Sequence, residues 1–168
     1  LYSKTNPELY KQLSQFLDKK PIDVEKIVGN KIKEKKISGR EANFRILNLI
    51  AERYPNFVGG AADVAASTKA FIEDGGIYSP EDRRGRNIAF GIREHAMAAI
   101  ANGISLYAGL RPFVSSFFVF SNYLLPALRM SALMNQPVLY FFTHDSLLVG
   151  EDGETHQPVE QLGTIRQI

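Results

Sequence analysis

The sequence predicts an α/β fold in which a mainly parallel sheet carries helices on both faces. Short apolar segments alternate with segments of helical period along the 168 residues, which is typical of consecutive βαβ units. One apolar segment, residues 138–142, is hydrophobic throughout, as expected of a strand that is covered on both faces. The unusual polar residues follow the predicted strands, and such sheets bind ligands beyond the carboxyl ends of their strands.

Residues 1–38 are expected to form an adapter of short helices. Asn6 and Pro7 supply a capping side chain and a first-turn proline, and the spacing of the following leucines predicts a helix over 8–17. A proline ends this helix, and a second, weaker helix is expected within 23–36.

Residues 39–168 are predicted to form the α/β domain itself. Its first helix begins after Gly39, carries apolar residues at helical spacing and ends before Pro55. Pro126 lies inside a later helical pattern, where its ring is expected to kink the helix. The other predicted elements are helices at 94–107 and 123–134, and strands at 56–60, 87–91, 111–117 and 137–143.

The composition is that of a soluble globular protein. Hydrophobic residues make up 45% and charged residues 23%, and no apolar run approaches the ~20 residues of a membrane helix. The chain has no cysteine, which excludes a disulfide framework, a thiolate nucleophile and a thiolate metal site. We expect a cytoplasmic protein, and the missing initiator Met and the abrupt end at Ile168 suggest a piece of a longer one.

Charge is unevenly distributed along the chain. Residues 1–40 hold 10 basic against 5 acidic residues, whereas residues 41–168 hold 10 against 13. The basic run 31–36 could be a nucleic-acid-binding arm, but no aromatic side chains interleave its lysines to stack on bases. We therefore favour a solvated linker and expect neither nucleic acid nor a membrane as a partner.

Two glycines followed by an acid form the first candidate site. Gly59 and Gly60 would let the backbone approach a ligand closely, and Asp63 could accept a hydrogen bond from it. A plain tight turn is the alternative, since the segment matches neither a phosphate-binding loop nor a dinucleotide fingerprint.

Glu94 is the second candidate, at the point where a predicted strand leads into a helix. A carboxylate there is often only a partner of the helix dipole. The alternative is a partly desolvated carboxyl that faces the cleft, which would suit proton exchange with a ring nitrogen. We interpret the neighbouring His95 as a packing or hydrogen-bonding residue and not as a catalyst.

Aromatic residues follow the third predicted strand. Phe117, Phe120 and Tyr123 are spaced i, i+3, i+6, which places them on one side of a helical turn. They could belong to the core, as Phe118 could, or form a flat slot for a heteroaromatic ring.

The last candidate is the polar run from His144 to His156. Its two histidines and the acids between them could ligate a metal, but no pair has the spacing of a helical metal site. A solvated loop is the alternative to a site for a polyhydroxylated substrate.

Together these segments resemble the pyrimidine-binding domain of transketolase, a thiamine-diphosphate enzyme. The resemblance covers roughly residues 37–168 and rests on four runs in order. The runs are Gly59-Gly60-Ala61-Ala62-Asp63, Gly91-Ile92-Arg93-Glu94-His95-Ala96-Met97, Phe117 to Tyr123, and Thr143-His144-Asp145-Ser146 with Gly150-Glu151-Asp152-Gly153-Glu154-Thr155-His156-Gln157-Pro158.

The resemblance implies a thiamine-diphosphate-binding fold and assigns roles. Glu94 would hydrogen-bond the cofactor's pyrimidine and promote removal of the thiazolium proton, and it is implied as catalytic together with His156. Cofactor-binding positions are Asp63, Glu94, Phe117, Phe120 and Tyr123. Substrate-binding positions are Arg40, Ser67, His144, Asp152 and His156, with Arg40 and Ser67 at the sugar phosphate. No metal ligand is implied in this chain.

The resemblance also implies parts that this chain lacks. Transketolases have a preceding domain that binds the diphosphate and a divalent metal, expected to be Mg²⁺, and a following C-terminal domain. Their active site forms between subunits, so a homodimer is implied. We expect residues 39–168 to be truncated at their C-terminal end and the isolated chain to be inactive. Ala61, Ala65, Ala66 and Glu154 depart from the family pattern.

The expected parent transfers a two-carbon ketol unit from a ketose phosphate to an aldose phosphate, in the pentose phosphate pathway. One alternative is a chain of a split transketolase. Another is a non-catalytic dimerisation or binding module, because the small residues after Glu94 would allow close helix packing.

Overall fold

The sheet of the chain is parallel and has the strand order β1-β2-β3. The computed structural model describes residues 1–18, 20–29, 31–34, 36–146 and 148–168. Within these ranges the strands are β1 (Phe57–Ala61), β2 (Arg111–Phe117) and β3 (Leu139–Thr143). Phe57 lies opposite Arg111, and Phe113 lies opposite Leu139. The predicted parallel sheet is therefore confirmed, and β3 pairs along one side only in the part of the chain that the structure describes.

Helices lie before, between and after the strands. They are α1 (Tyr2–Thr5), α2 (Pro7–Leu17), α3 (Val24–Val28), α4 (Gly39–Arg53), α5 (Ala65–Thr68), α6 (Glu94–Tyr107), α7 (Leu125–Leu133) and α8 (Gln161–Ile165). Short 3₁₀ helices span Phe118–Tyr123 and Glu154–His156. The predicted helices at 8–17, 39–54 and 94–107 are confirmed. No helix in the described ranges is long and apolar enough to cross a bilayer.

Both faces of the sheet are covered, as predicted. On one face α4 contributes Leu47 and Ile50, which pack with Phe57 and Phe113. The rings of Phe57 and Phe113 are stacked, with centroids 4.8 Å apart. On the other face α6 and α7 pack against Val114. Side chains alternate between these two cores along β2, because successive residues of a strand point to opposite faces.

The predicted strand at 87–91 is wrong. This segment runs beside β1, where the N–H of Gly59 donates to the carbonyl of Arg86 (3.0 Å) and that of Ile88 donates to the carbonyl of Gly59 (2.7 Å). The pairing amounts to an isolated bridge between Gly59 and Asn87. The segment then turns away, with Gly91 at φ +69°, and delivers the chain to α6.

Two helix predictions also need correction. Pro126 does not kink a helix over 123–134, because it occupies the first turn of α7, where a missing N–H costs nothing. The weaker helix within 23–36 is only α3, which Asp23 caps by accepting a hydrogen bond from the N–H of Lys26. Lys35 of the basic run and Leu147 lie outside the described residues.

The glycines of the first candidate site lie inside β1 and not in a turn. A Cβ at position 59 would lie 1.9 Å from the carbonyl oxygen of Phe113, and one at position 60 would lie 2.1 Å from that of Ile88. The two glycines therefore let neighbouring backbone approach β1 on both faces. The expectation that they admit a ligand is replaced by this packing role.

The adapter helix α2 buries none of its residues. Leu9, Leu13 and Leu17 are each about half exposed, and the side chain of Asn6 makes no capping bond. The chain that follows α2 is attached to the domain, because Arg111 donates a hydrogen bond to the carbonyl of Lys20 (2.6 Å).

Candidate functional site

The predicted site residues gather at the carboxyl ends of the strands. Asp63 follows β1, Phe117 ends β2 and His144 follows β3. The strands are parallel, so these ends share one edge of the sheet. Asp63 and His144 both have left-handed backbone conformations, with φ of +63° and +53°. Such conformations are uncommon for residues other than glycine and cluster at functional sites.

Glu94 is a buried carboxyl at the start of α6. Its residue is only 8% exposed, and the Ser116 hydroxyl donates a long hydrogen bond of 3.4 Å to its Oε1. No ion pair to Glu94 exists among the described residues. The helix N-terminus favours the negative charge, but the single long bond leaves the carboxyl's capacity to accept hydrogen bonds largely unused. The Glu94 carboxyl can therefore accept a further hydrogen bond from a bound ligand.

The aromatic residues form a stack that begins at the buried end of β2. Phe117 and Phe120 are stacked with centroids 5.7 Å apart, and Phe120 lies 6.1 Å from Tyr123. The 3₁₀ helix over 118–123 repeats every three residues, so residues at i, i+3 and i+6 line one side. Tyr123 is 65% exposed and Phe117 is buried, so the stack runs from the core to the surface.

Both histidines of the polar run contact this stack. The ring centroids of His144 and Phe117 are 3.9 Å apart, and those of His156 and Phe120 are 5.2 Å apart. Burial lowers the pKa of His144 below its usual value, while the Asp152 carboxylate opposes this shift and the Arg40 charge adds to it. The imidazole of His144 is therefore held toward its neutral form.

A cavity of about 570 Å³ lies between the start of α4 and the end of β3. Arg40, Asn43, Thr143 and His144 are among its lining residues. Arg40 also donates a hydrogen bond to the backbone carbonyl of Ser67 (3.3 Å). The Arg40 guanidinium can bind an anionic group at this end of the site, which the Asp145 carboxylate also lines.

Some candidates remain separate from these contacts. Asp63 and Asp152 are exposed, and neither makes a side-chain hydrogen bond or ion pair within the described ranges. His95 is also exposed and lines a groove between α6 and α7. In the part of the chain that the structure describes, no group of three or more potential ligands could hold a metal ion.

The structure adds polar residues that the sequence reasoning missed. Ser116 contacts Glu94, and Thr143 and Thr155 each contact the histidine that follows them. The repeated Thr-His pair in the sequence was a signal for the last two. The amide nitrogen of Asn43 is buried and has no hydrogen-bond partner among the described residues, a feature that the sequence does not indicate.

The amino-acid sequence of this chain is similar to one family model and to the sequences of several known proteins. Residues 35–168 match the family model described as transketolase, pyrimidine binding domain. The transketolase of Bacillus subtilis is 46% identical over 166 residues, covering 98% of this chain and 25% of that protein. The transketolase of Physarum polycephalum is 44% identical and covers all of this chain and 26% of its own length.

Solved structures agree with this family. The transketolase of Campylobacter jejuni has a TM-score of 0.86 at 44% identity, covering 95% of this chain and 24% of that one. A Pichia stipitis transketolase in complex with sedoheptulose-7-phosphate has a TM-score of 0.88 at 33% identity, covering 98% and 26%. The chain thus spans about a quarter of the length of these relatives. The matching family model, the sequence identities and the shared fold show that the chain belongs to the transketolase family, in which it corresponds to the pyrimidine binding domain.

Proposed function

We propose that this chain is the pyrimidine-binding part of an enzyme that transfers a two-carbon ketol unit from a ketose phosphate to an aldose phosphate. The observation that carries the proposal is Glu94, a buried carboxyl without an ion-pair partner in the described ranges. It lies beside β2, whose end begins the aromatic stack. Ketol transfer measured with the longer enzyme that contains this chain, with and without thiamine diphosphate, tests the proposal. Turnover that is independent of thiamine diphosphate would contradict it.

The residues present fit thiamine diphosphate as the cofactor. Phe117, Phe120 and Tyr123 offer ring faces and edges for a pyrimidine, and Glu94 can exchange a proton with a ring nitrogen. When bound, the cofactor supplies the carbanion-stabilising chemistry of the reaction. Asp63, at the end of β1, is proposed to lie near the cofactor.

The substrate is proposed to occupy the space beside the two histidines. His144 and His156 would donate hydrogen bonds to its oxygen atoms, and His156 is also proposed to act in catalysis. The exposed Asp152, whose charge acts on His144, would accept a hydrogen bond from a hydroxyl group. Arg40 and Ser67 would bind the phosphate. The sedoheptulose-7-phosphate of the Pichia stipitis structure supports a sugar phosphate as the ligand class.

The rest of the active site is proposed to come from other parts of the protein. This chain spans about a quarter of its relatives, and the diphosphate and a divalent metal, proposed to be Mg²⁺, would be bound outside it. In this proposal residues 1–38 link that region to the domain over 39–168, and the parent is a homodimer. The chain alone is expected to be inactive, and ketol transfer by purified chain free of the longer enzyme would overturn this expectation.

The proposed location is the cytoplasm, and the proposed pathway is the pentose phosphate pathway. Both follow from the proposed substrates and from the family. Phosphorylated sugars carry charges that make crossing a bilayer costly, so an enzyme that uses them works where they are made.

Two alternatives differ in what they require. In a split transketolase a separate chain carries the diphosphate site, and the intact mass of the natural product set against its gene identifies this case. A non-catalytic dimerisation module is favoured by exposed apolar residues on α6 and α7, among them Ile100, Leu106 and Leu133. Titration of the longer enzyme's remaining domains with thiamine diphosphate, with and without this chain, distinguishes this case. A non-catalytic module would leave their affinity for thiamine diphosphate unchanged.

Substitution of Arg40 with alanine in the longer enzyme is expected to raise KM for phosphorylated substrates by about tenfold to hundredfold. A hydrogen bond to a charged group contributes roughly 1.5–3 kcal/mol, and the missing guanidinium would weaken phosphate binding by that amount. Activity toward a sugar without phosphate should change little. Initial rates with both substrates check this, and an equal loss for both would contradict the phosphate role.

The matched control for Arg40 is Arg84→Ala. The Arg84 side chain is 93% exposed and contacts only the nearby Asp82 among the described ion pairs. The Arg84→Ala substitution removes the same charge as Arg40→Ala, but from a residue outside the proposed site. Its KM values should therefore equal those of the unmodified enzyme.

A further inference from the structure

The two histidines of the site are attached to neighbouring threonines in the same way. The Thr143 hydroxyl lies 2.9 Å from Nδ1 of His144, and the Thr155 hydroxyl lies 2.9 Å from Nδ1 of His156. Each histidine is preceded by its threonine in the sequence. Nδ1 is occupied in both pairs, so Nε2 is the ring nitrogen left for a ligand.

The two pairs differ in burial. Thr143 is the last residue of β3, lies opposite Phe117 and is only 7% exposed. Thr155 is exposed. Water can therefore replace Nδ1 of His156 as a partner for the exposed Thr155 hydroxyl more readily than it can replace Nδ1 of His144 as a partner for the hydroxyl of the buried Thr143.

The buried hydroxyl decides the direction of its hydrogen bond. Within the described residues, His144 is the one hydrogen-bond partner of the Thr143 hydroxyl. If Nδ1 carried the proton and donated it, the hydroxyl hydrogen would be left buried without an acceptor, which is costly. Donation by the hydroxyl to a bare Nδ1 avoids this cost, and the proton of the neutral imidazole then lies on Nε2.

We propose that Thr143 is a positioning residue, which holds His144 in the tautomer protonated at Nε2 and so presents a fixed hydrogen-bond donor to a ligand oxygen. The part concerning the ligand rests on the proposed function, whereas the tautomer does not. The left-handed backbone of His144 and the packing of its ring 3.9 Å from Phe117 fix the direction of that donor. Burial, which favours the neutral form of His144, keeps the tautomer relevant at neutral pH.

The test is nitrogen-15 NMR of the histidine rings in the 168-residue chain at mildly alkaline pH. His144 is expected to be protonated mainly at Nε2. Thr143→Val, which keeps the β-branched shape and removes the hydroxyl, should shift the tautomer ratio of His144 toward that of a free imidazole. Thr143→Ser, which keeps a hydroxyl, should restore the ratio of the unmodified chain. Thr155→Val serves as the matched control. It should change the tautomer ratio of His156 little, because the Thr155 hydroxyl is exposed.

Two results would overturn the tautomer assignment. One is a His144 protonated mainly at Nδ1 in the unmodified chain, which needs no variant and so does not depend on the folding of Thr143→Val. The other is an unchanged His144 tautomer ratio in Thr143→Val when the thermal unfolding of the chain shows that it is folded.

A kinetic measurement separates the tautomer from the proposed function. In the longer enzyme, Thr143→Val should lower kcat/KM for ketol transfer by about twofold to tenfold, the range of one net hydrogen bond, and Thr143→Ser should recover most of it. An NMR effect without any ketol transfer by the unmodified enzyme would contradict the proposed function and leave the tautomer assignment intact. An NMR effect with unchanged kcat/KM would overturn the positioning role.

Discussion

Replacement of Glu94 with alanine in the longer enzyme is expected to lower kcat by about 10²–10⁴-fold at saturating thiamine diphosphate. This is the usual contribution of a positioned acid or base, and within the described residues Glu94 is the one carboxyl that accepts a hydrogen bond from Ser116. Glu94→Gln should lose nearly as much, because the amide fills the same volume but cannot exchange a proton. Steady-state rates across a wide range of cofactor concentrations provide the measurement.

The control for Glu94 is Glu52→Ala. Glu52 is exposed on α4, and its loss should leave kcat unchanged. Glu94 also begins α6, so its removal could weaken the helix, and thermal unfolding of both variants separates that effect from catalysis. Near-normal turnover by a folded Glu94→Ala enzyme would refute the assigned role.

Gly60→Ala is expected to destabilise the chain more than the roughly 1–3 kcal/mol typical of overpacking. The added Cβ would lie 2.1 Å from the carbonyl oxygen of Ile88, and the contact is with backbone, which cannot rotate away as a side chain can. Either β1 or the segment that leads to α6 must move. The free energy of unfolding from urea titration measures the loss.

Gly163→Ala is the matched control for this substitution. Its Cβ would meet no atom within 4 Å, and its position inside α8 favours alanine over glycine. We expect its free energy of unfolding to rise by up to about 1 kcal/mol. A Gly60→Ala variant that unfolds like Gly163→Ala would show that the backbone contact with Ile88 is not required.

The sequence predicted the elements whose signals are local. The spacing of apolar and small residues defined α4 and α6 nearly to the residue, because periodicity depends only on nearby residues. The strand prediction for residues 87–91 failed because a short apolar run becomes a strand only if a neighbour pairs along it, and here the pairing is limited to isolated bridges at Asn87. Pro126 was misjudged because a first-turn and an interior proline look alike until the helix start is known.

In the candidate site, too, the sequence predicted what depends on local spacing and did not predict what depends on the folded backbone. The spacing of Phe117, Phe120 and Tyr123 predicted a common side, and the structure places them in one stack. The roles assigned to them stay predictions. The bond between Thr143 and His144 was not predicted, since the direction of a side chain after a strand depends on a backbone conformation that the sequence leaves open.

The unpaired side of β3 affects how the isolated chain behaves in solution. This strand is rich in aromatic side chains, and within the described ranges it carries no proline, charged residue or bulge to prevent another strand from adding to it. Such an edge promotes association between copies through backbone hydrogen bonds. A concentrated sample is therefore prone to aggregate, and a change in its apparent size with concentration can reflect strand addition at β3 instead of the proposed homodimer.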